Sequence, residues 1–460
     1  MSTGNTTQSR LDWNAPFSRI VLIGLLILLL QIPIMKISGV IHERSTSRAA
    51  AAADIAGKWG KEQTLVGPYL ALGYRCKWAE TAPNGKAVAR EQQVTASLLP
   101  KDLTIDGTVR SSIRRRGIFE IPVYESDLLL KGRFNRVALD GCPTKAREIL
   151  LERANLVLHL SDPRALSGSL PLRWNKDTLS FMPGAEGGGS RLGAGVHADI
   201  RSHLNADSYS FEIPIHFNGS NRLSFAPFAE HTEVSLRSDW PHPSFQGSWL
   251  PREHSIAEDG FTAIWSVSHL GRNYPQHMPT LEPYTEQIQD SHFGVYFMSP
   301  VDSHSVTHRI VKYELMVIGL VFATLWMFEL LARLRVHPVQ YLLVGSAMCL
   351  FYLLQLSLAE HLGLLLAYLI ASSAVIGLVT AYCLSVLRSA LRASVIGSVL
   401  ALLYGYLYVL LQLEDYALLA GAIGLFAALA MVMYLTRKID WYTAYRQDTA
   451  YRPEHSAPAH

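Results

Sequence analysis

Charge is scarce in this 460-residue chain: Asp, Glu, Lys and Arg make up 17% of it, against 49% hydrophobic residues. That balance excludes an ordinary water-soluble protein and a disordered one. The formal net charge of +3 leaves no excess of either sign to hold a polyanion. The run Arg114, Arg115, Arg116 is too short for a nucleic-acid footprint and reads as a solvated loop. Cysteine is also sparse, with four in all, which excludes a disulfide scaffold, and their spacing matches no zinc motif. Cys349 and Cys383 fall in apolar runs, where a thiol behaves as a small hydrophobe. Cys76 and Cys142 lie in the polar middle of the chain, where an oxidising compartment would allow them to join.

Motifs of catalysis are missing as well. The loop Gly187–Gly195 lacks the Lys-Ser/Thr of a P-loop and the spacing of a dinucleotide fingerprint, so it reads as a flexible loop. Thirteen of the seventeen histidines fall between residues 41 and 308, but none belongs to an H-E-x-x-H pattern and they are scattered. Asp239, His242 and Ser244 have the residue types of a hydrolase triad, crowded into one segment without a G-x-S-x-G elbow. No catalytic residue, metal ligand or cofactor is expected.

What the chain has is long apolar runs. Ile20 to Val40, interrupted only by Lys36 and preceded by Arg10 and Arg19, reads as an uncleaved anchor, because no small-residue cleavage site follows it. Five more runs follow: Leu315–Ala332, Val339–Ala359, Leu362–Leu387, Ala393–Leu413 and Tyr416–Leu435. Each approaches the roughly 20 residues that cross a hydrocarbon core, and in lipid only a helix satisfies its own backbone. The connections alternate in charge. Arg333 with Arg335, Arg388 with Arg392 and Arg437 with Lys438 mark one side, whereas Glu360-His361 and Glu414-Asp415 mark the other. The positive-inside rule then places both termini in the cytoplasm. Lys36, Arg44, Arg309 and Lys312 run against it, but they border a long translocated segment, where the rule is weak. The expected organisation is a cytoplasmic segment 1–19, a membrane helix 20–40, an exported domain 41–308, a five-helix membrane region 309–436 and a cytoplasmic tail 437–460.

Within the bundle, Ser373, Gly377 and Ala381, and likewise Ala420, Gly424 and Ala428, recur every four residues and predict two smooth helix-packing stripes. Glu329 is the candidate intramembrane functional residue, with Arg333 four positions on as an i,i+4 partner. Glu360, His361, Glu414 and Asp415 gather at the external face by topology, and solvated loops account for them.

The segment 41–308 begins with an Ala-rich helix, Ser45 to Ala56, and then turns to β-type alternation. Tyr209 to Phe217 alternates strictly and runs into Asn218-Gly219, a hairpin-turn pair. Further strands are predicted at Ala154–Leu160, Leu223–Phe225, Glu233–Leu236, Phe261–Val267 and Phe293–Phe297. So many strands with so few helices between them predict an antiparallel sandwich or a related all-β fold. Ser238–Pro251 reads as a rigid turn, with Pro241, Pro243 and Pro251 fixing the backbone. Trp240, His242, Phe245 and Trp249 are its candidate partner-contact residues.

Several stretches resemble the CreD family of Gram-negative inner-membrane proteins: Gln31–Met35, Glu43-Arg44, Leu65–Pro68, Ser238–Pro251 and Gly260–Trp265 early on. The resemblance continues through Arg335–Gly345, Phe351–Leu354, Leu358–His361 and Leu435–Tyr442. Residues from about 77 to 208 add little to it. The resemblance implies a multi-pass inner-membrane protein linked to the Cre two-component regulatory system, to maintenance of the cell envelope and to tolerance of colicins, with no reaction and no ligand residues attached. On this reading the chain is a non-enzymatic envelope protein. Its partners are the lipid bilayer and an envelope protein or glycan. A transporter or membrane enzyme using acidic residues of the bundle, or a periplasmic signal-receiving module, are the alternatives.

Overall fold

A computed structural model describes residues 16–81, 87–137, 142, 148–184, 194–297, 303–332, 336–412 and 417–437. The chain divides into two compact units, one formed by residues 1–47 and 301–460 and the other by residues 48–300. A single helix, α1 (Pro16–Trp59), contributes its first part to one unit and its end to the other.

The unit 48–300 is a β-sandwich. Among the described residues one sheet has nine strands, with the path 243–247, 293–297, 222–225, 63–81, 148–160, 195–199, 182–183 and with 87–98 and 277–278 attached to one side. The other has eight, in the order 253–257, 260–268, 231–238, 102–116, 119–135, 208–220, 171–174, 177–180. Alternation makes the sandwich. In Ser208–Ser220 the odd residues Tyr209, Phe211, Ile213, Ile215 and Phe217 are buried, while the even ones from Ser208 to Asn218 face outward. These pack with Leu72, Tyr74, Leu156 and Leu158 of the opposite sheet in one core. Trp174, Trp265 and Phe134 fill it, each almost fully buried.

The predicted strands are all present, but the sheets are not purely antiparallel. Gln63–Leu65 runs parallel to Leu223–Phe225, and His231–Ser238 runs parallel to Asp102–Val109. Each parallel pair joins segments distant in sequence, which residue alternation does not reveal. The expected hairpin turn at Asn218-Gly219 is also absent. Both residues stay in strand, paired with Glu125 and Tyr124, and the chain turns afterwards at Asn221, whose φ is 58°. Gly219 is there for space, since a Cβ would collide with the Tyr124 ring. Beyond Asn221 the chain leaves for the other sheet rather than folding back.

Helix α1 ends on this unit. Arg114 stacks its guanidinium 4.2 Å from the Trp59 ring, and Arg116 pairs with Asp54. The arginine run is therefore the end of a strand that anchors a helix, rather than a loop, although its side chains are exposed. The predicted loop Gly187–Gly195 lies almost wholly outside the described residues. A second helix, α2 (Thr285–Asp290), is a single short turn-rich element ahead of the strand 293–297.

The other unit is helical: the first part of α1, then α3 (Ser303–Ala332), α4 (Pro338–Leu362), α5 (Leu364–Leu387), α6 (Ala390–Gln412) and α7 (Ala417–Thr436). Four of these are long and apolar enough, over their described residues, to cross a membrane: α1, α4, α5 and α6. In α7 the described apolar stretch Leu419–Tyr434 is shorter. Leu28, Leu402 and Phe426 are 68%, 71% and 75% exposed, a surface that suits lipid and not water. Inside, Leu26, Leu30, Ile34 and Ile37 of α1 share one buried core with Val317, Val321 and Phe322 of α3 and with Val344 and Met348 of α4.

The two small-residue stripes differ. On α7, Gly424 leaves room for the Tyr406 ring of α6, whose hydroxyl donates to the Ala420 carbonyl. On α5, however, Ser373, Gly377 and Ala381 are exposed and Gly377 has nothing near it. The packed face of α5 is instead Ala371, Val375, Val379 and Cys383. Small size alone did not distinguish the inner face from the outer one.

Candidate functional site

Ser238–Pro251 is a crossover between the sheets that contains an edge strand, Pro243–Gly247, paired with Phe293–Phe297. Its aromatic side chains face inward. Trp240 is 7% exposed and donates its Nε1–H to the His242 carbonyl at 3.2 Å. Phe245 packs edge-on against Phe261 and Trp265, and Trp249 against Phe293. Of the four candidate partner-contact residues only His242 is exposed. Asp239 accepts hydrogen bonds from the Ser111 amide and hydroxyl at 2.8 and 2.6 Å, and Ser244 accepts one from Gln246 at 3.4 Å. Asp239 and Ser244 thus have their own partners while His242 is exposed, and no hydrogen bond among the described residues links the three.

A concave surface lies elsewhere among the described residues of this unit, over the outer face of the eight-stranded sheet, where a groove of about 950 Å³ opens. Two rows of side chains cross its floor, one from each of four adjacent strands. Strand register places Pro214, Leu129, Asp106 and Ser235 in one row, and His216, Asp127, Thr108 and Arg237 in the next. Because sheet residues alternate, these are the outward positions between the buried ones. The wall is the stretch from Leu166 to Pro171 together with Ser180–Pro183. It is fixed at its base by Arg164, which grips Asp162 with two hydrogen bonds of 2.8 and 3.0 Å. That grip holds the Asp162 carboxyl below its usual range, against the opposing effect of burial.

On the floor one carboxylate, Asp127, is held by two partners. His216 Nδ1 lies 2.5 Å from Asp127 Oδ1, and Arg110 takes the other carboxylate oxygen. Asp106 and Arg237 form no ion pair among the described residues. The groove therefore offers hydroxyls, a matched His–Asp pair, one carboxylate and one guanidinium, beside the apolar surfaces of Leu129, Pro214 and Phe181.

In the helical unit, Glu329 is fully engaged. Its carboxylate meets Arg19 of α1 at 3.0 Å, accepts the Val336 amide at 3.3 Å and accepts the Tyr341 hydroxyl at 3.2 Å. Arg19 also donates to the Val336 carbonyl at 2.9 Å. Glu329 thereby joins α1, α3 and the start of α4. The predicted partner Arg333 lies outside the described residues, as do Glu414, Asp415 and the tail beyond Arg437. A second carboxyl, Glu314 of α3, is 1% exposed; it faces the Cys349 thiol of α4 and has no nitrogen or oxygen partner among the described residues.

A disulfide joins Cys76 to Cys142, with the Cα atoms 5.7 Å apart. Two units of this kind, a β-sandwich and a lipid-facing bundle, fit what the comparison with known proteins finds. The family model for inner membrane protein CreD matches residues 15–442. The chain belongs to the CreD family. The inner membrane protein CreD of Escherichia coli (strain K12) is 34% identical over 419 residues, covering 90% of this chain and 91% of that one. Among solved structures, native yeast LTA4 hydrolase overlaps 49% of this chain and 35% of its own at 8% identity, with a TM-score of 0.19, too loose to inform the fold.

For this CreD-family chain, sequence reasoning missed two features. The groove floor is assembled from four strands spread over residues 106–237, so no local motif marks it. Glu314 was overlooked because it borders an apolar run: a reading that starts the span at Leu315 leaves it outside, whereas α3 begins at Ser303. Cys349 and Cys383 are buried in the bundle as small apolar residues.

Proposed function

We propose that this chain is a non-enzymatic inner-membrane protein of the cell envelope. Its β-sandwich stands in the periplasm and holds a hydroxyl-rich envelope glycan in the groove over the eight-stranded sheet. The carrying observation is the double row Pro214–Leu129–Asp106–Ser235 and His216–Asp127–Thr108–Arg237. Sugars are bound by planar polar groups set beside apolar platforms. This floor supplies both, and its carboxylates Asp106 and Asp127 are balanced in number by the guanidiniums Arg237 and Arg110, which suits a largely neutral chain of hydroxyls better than a charged peptide. Six helices cross the bilayer in this reading, α1 and α3 to α7, with both termini in the cytoplasm. The alternating basic residues of the short connections support that orientation. The Cys76–Cys142 disulfide supports an oxidising compartment for the sandwich. Links to envelope stress, to colicin tolerance and to a two-component system enter as expectations carried by the family.

A photo-crosslinking residue placed in living cells at Ser169, on the exposed groove wall, tests the glycan. A second at His242 samples the crossover segment. An adduct at Ser169 that is digested by glycan-cleaving enzymes and lost in Arg237→Ala is expected, with none at His242. A polypeptide adduct, or no adduct at Ser169, contradicts the reading.

A further inference from the structure

Glu314 sits well inside α3, 15 residues before Glu329, or about 22 Å along the helix axis. Arg19, which neutralises Glu329, is therefore out of its reach. Helices α4 and α6 pack against α3, and Cys349 and Tyr352 of α4 and Tyr404 of α6 are buried in the same cluster as Val317, Ile318 and Val321 of α3, with the Cys349 thiol facing the Glu314 carboxyl. From α5, Tyr368 donates its hydroxyl to the Tyr404 carbonyl at 2.6 Å. No basic side chain among the described residues acts on Glu314. One turn beyond Tyr352 on α4, Gln355 is completely buried, and neither its amide oxygen nor its nitrogen has a partner among the described residues.

A bare carboxylate in such surroundings is untenable. Removing it from water without a partner costs several kcal/mol at least, and an unsatisfied amide about 1–3 kcal/mol more. Two remedies exist, a proton on the carboxyl or a cation beside it. A metal cation asks for a shell of several oxygen ligands. Among the described residues, the groups shown beside Glu314 are a thiol and phenols, with no second carboxylate and no metal-binding cluster. A proton asks for nothing beyond the carboxyl itself.

We propose that Glu314 is a proton-binding site of the helix bundle, occupied at neutral pH. Neutral Glu314 fits the closed packing of α3, α4 and α6. Releasing the proton creates a buried charge that this packing does not solvate, so the helices must move, or admit water, to hold it. Titratable groups inside membrane bundles mark proton paths and proton-driven switches. The bundle thereby acquires a proton-responsive element, independent of what the groove binds.

Infrared difference spectroscopy on the full-length protein in lipid nanodiscs tests this. The wild type minus Glu314→Gln spectrum at neutral pH is expected to show one carbonyl band of a protonated carboxylic acid, shifted in heavy water and lost on alkaline titration. Cys349→Ala is expected to shift that band while leaving the protein folded. Its absence at neutral pH overturns the proposal, as does its disappearance when sodium is added at fixed pH, which would mark a cation site. If Glu314→Gln does not fold, the wild-type band decides through Cys349→Ala: a band that ignores that substitution is not that of Glu314, and the proposal falls.

Discussion

His292 of the β-sandwich lies between the edge of a sheet and α2, mostly out of water. Burial, reinforced by Arg222 and only partly offset by Asp290, pushes its imidazole down from 6.5 to about 4. The folded protein therefore holds it neutral, while the unfolded chain takes up a proton near the ordinary value. Its contribution to stability is whole above that ordinary value and is lost as pH falls toward the folded one, on the order of 3 kcal/mol across the window. Denaturant unfolding of the wild type and His292→Gln at about pH 7.5 and about pH 4.5 checks this. The wild type should lose more stability on acidification than the variant. Glu329 is the second residue-scale case. Its charge was legible in the sequence, but its partner was not: Arg19 lies on another helix, and only packing brings the two within 3.0 Å. Arg19→Ala leaves a poorly solvated carboxylate with two weaker donors, and about 2–3 kcal/mol of destabilisation is expected in a thermal melt in detergent. Glu329→Gln on top of it should recover part of that loss.

Single elements were legible where one physical rule governs them. The alternation of Tyr209 to Phe217 survives because one face meets the core and the other meets solvent. The apolar runs became helices because lipid leaves no other way to satisfy their backbones. Turns and crossovers obey distant neighbours instead. Asn218-Gly219 has turn chemistry, yet Gly219 serves the Tyr124 ring of an earlier strand. Gly219→Ala should thus cost about 1–3 kcal/mol through overpacking, read as a lower unfolding midpoint, while Asn218→Ala should cost far less. The strand 63–81 carries Cys76, whose bond to Cys142 spans 66 residues of chain. Closing a loop of that length stabilises by about 3–4 kcal/mol, mainly through the unfolded state. Cys142→Ser, or reduction of the wild type, should remove most of it, measured as a drop in the tryptophan-reported unfolding midpoint.

At the scale of the molecule, the sequence carried the division into a membrane bundle and a β unit, since solvent preference is written into composition. It did not carry the groove, which exists only once four strands lie side by side, nor Glu314, whose isolation depends on three helices closing round it. What the protein can bind and sense depends on which side of the membrane each part occupies. Cysteines introduced one at a time at Leu270, His361 and Arg388, in a protein whose Cys349 and Cys383 are buried, report this through a membrane-impermeant thiol reagent on intact spheroplasts. Labelling at Leu270 and His361 without permeabilisation, and at Arg388 only after it, is the predicted result. Equal labelling of Leu270 and Arg388 from the same side would contradict the account.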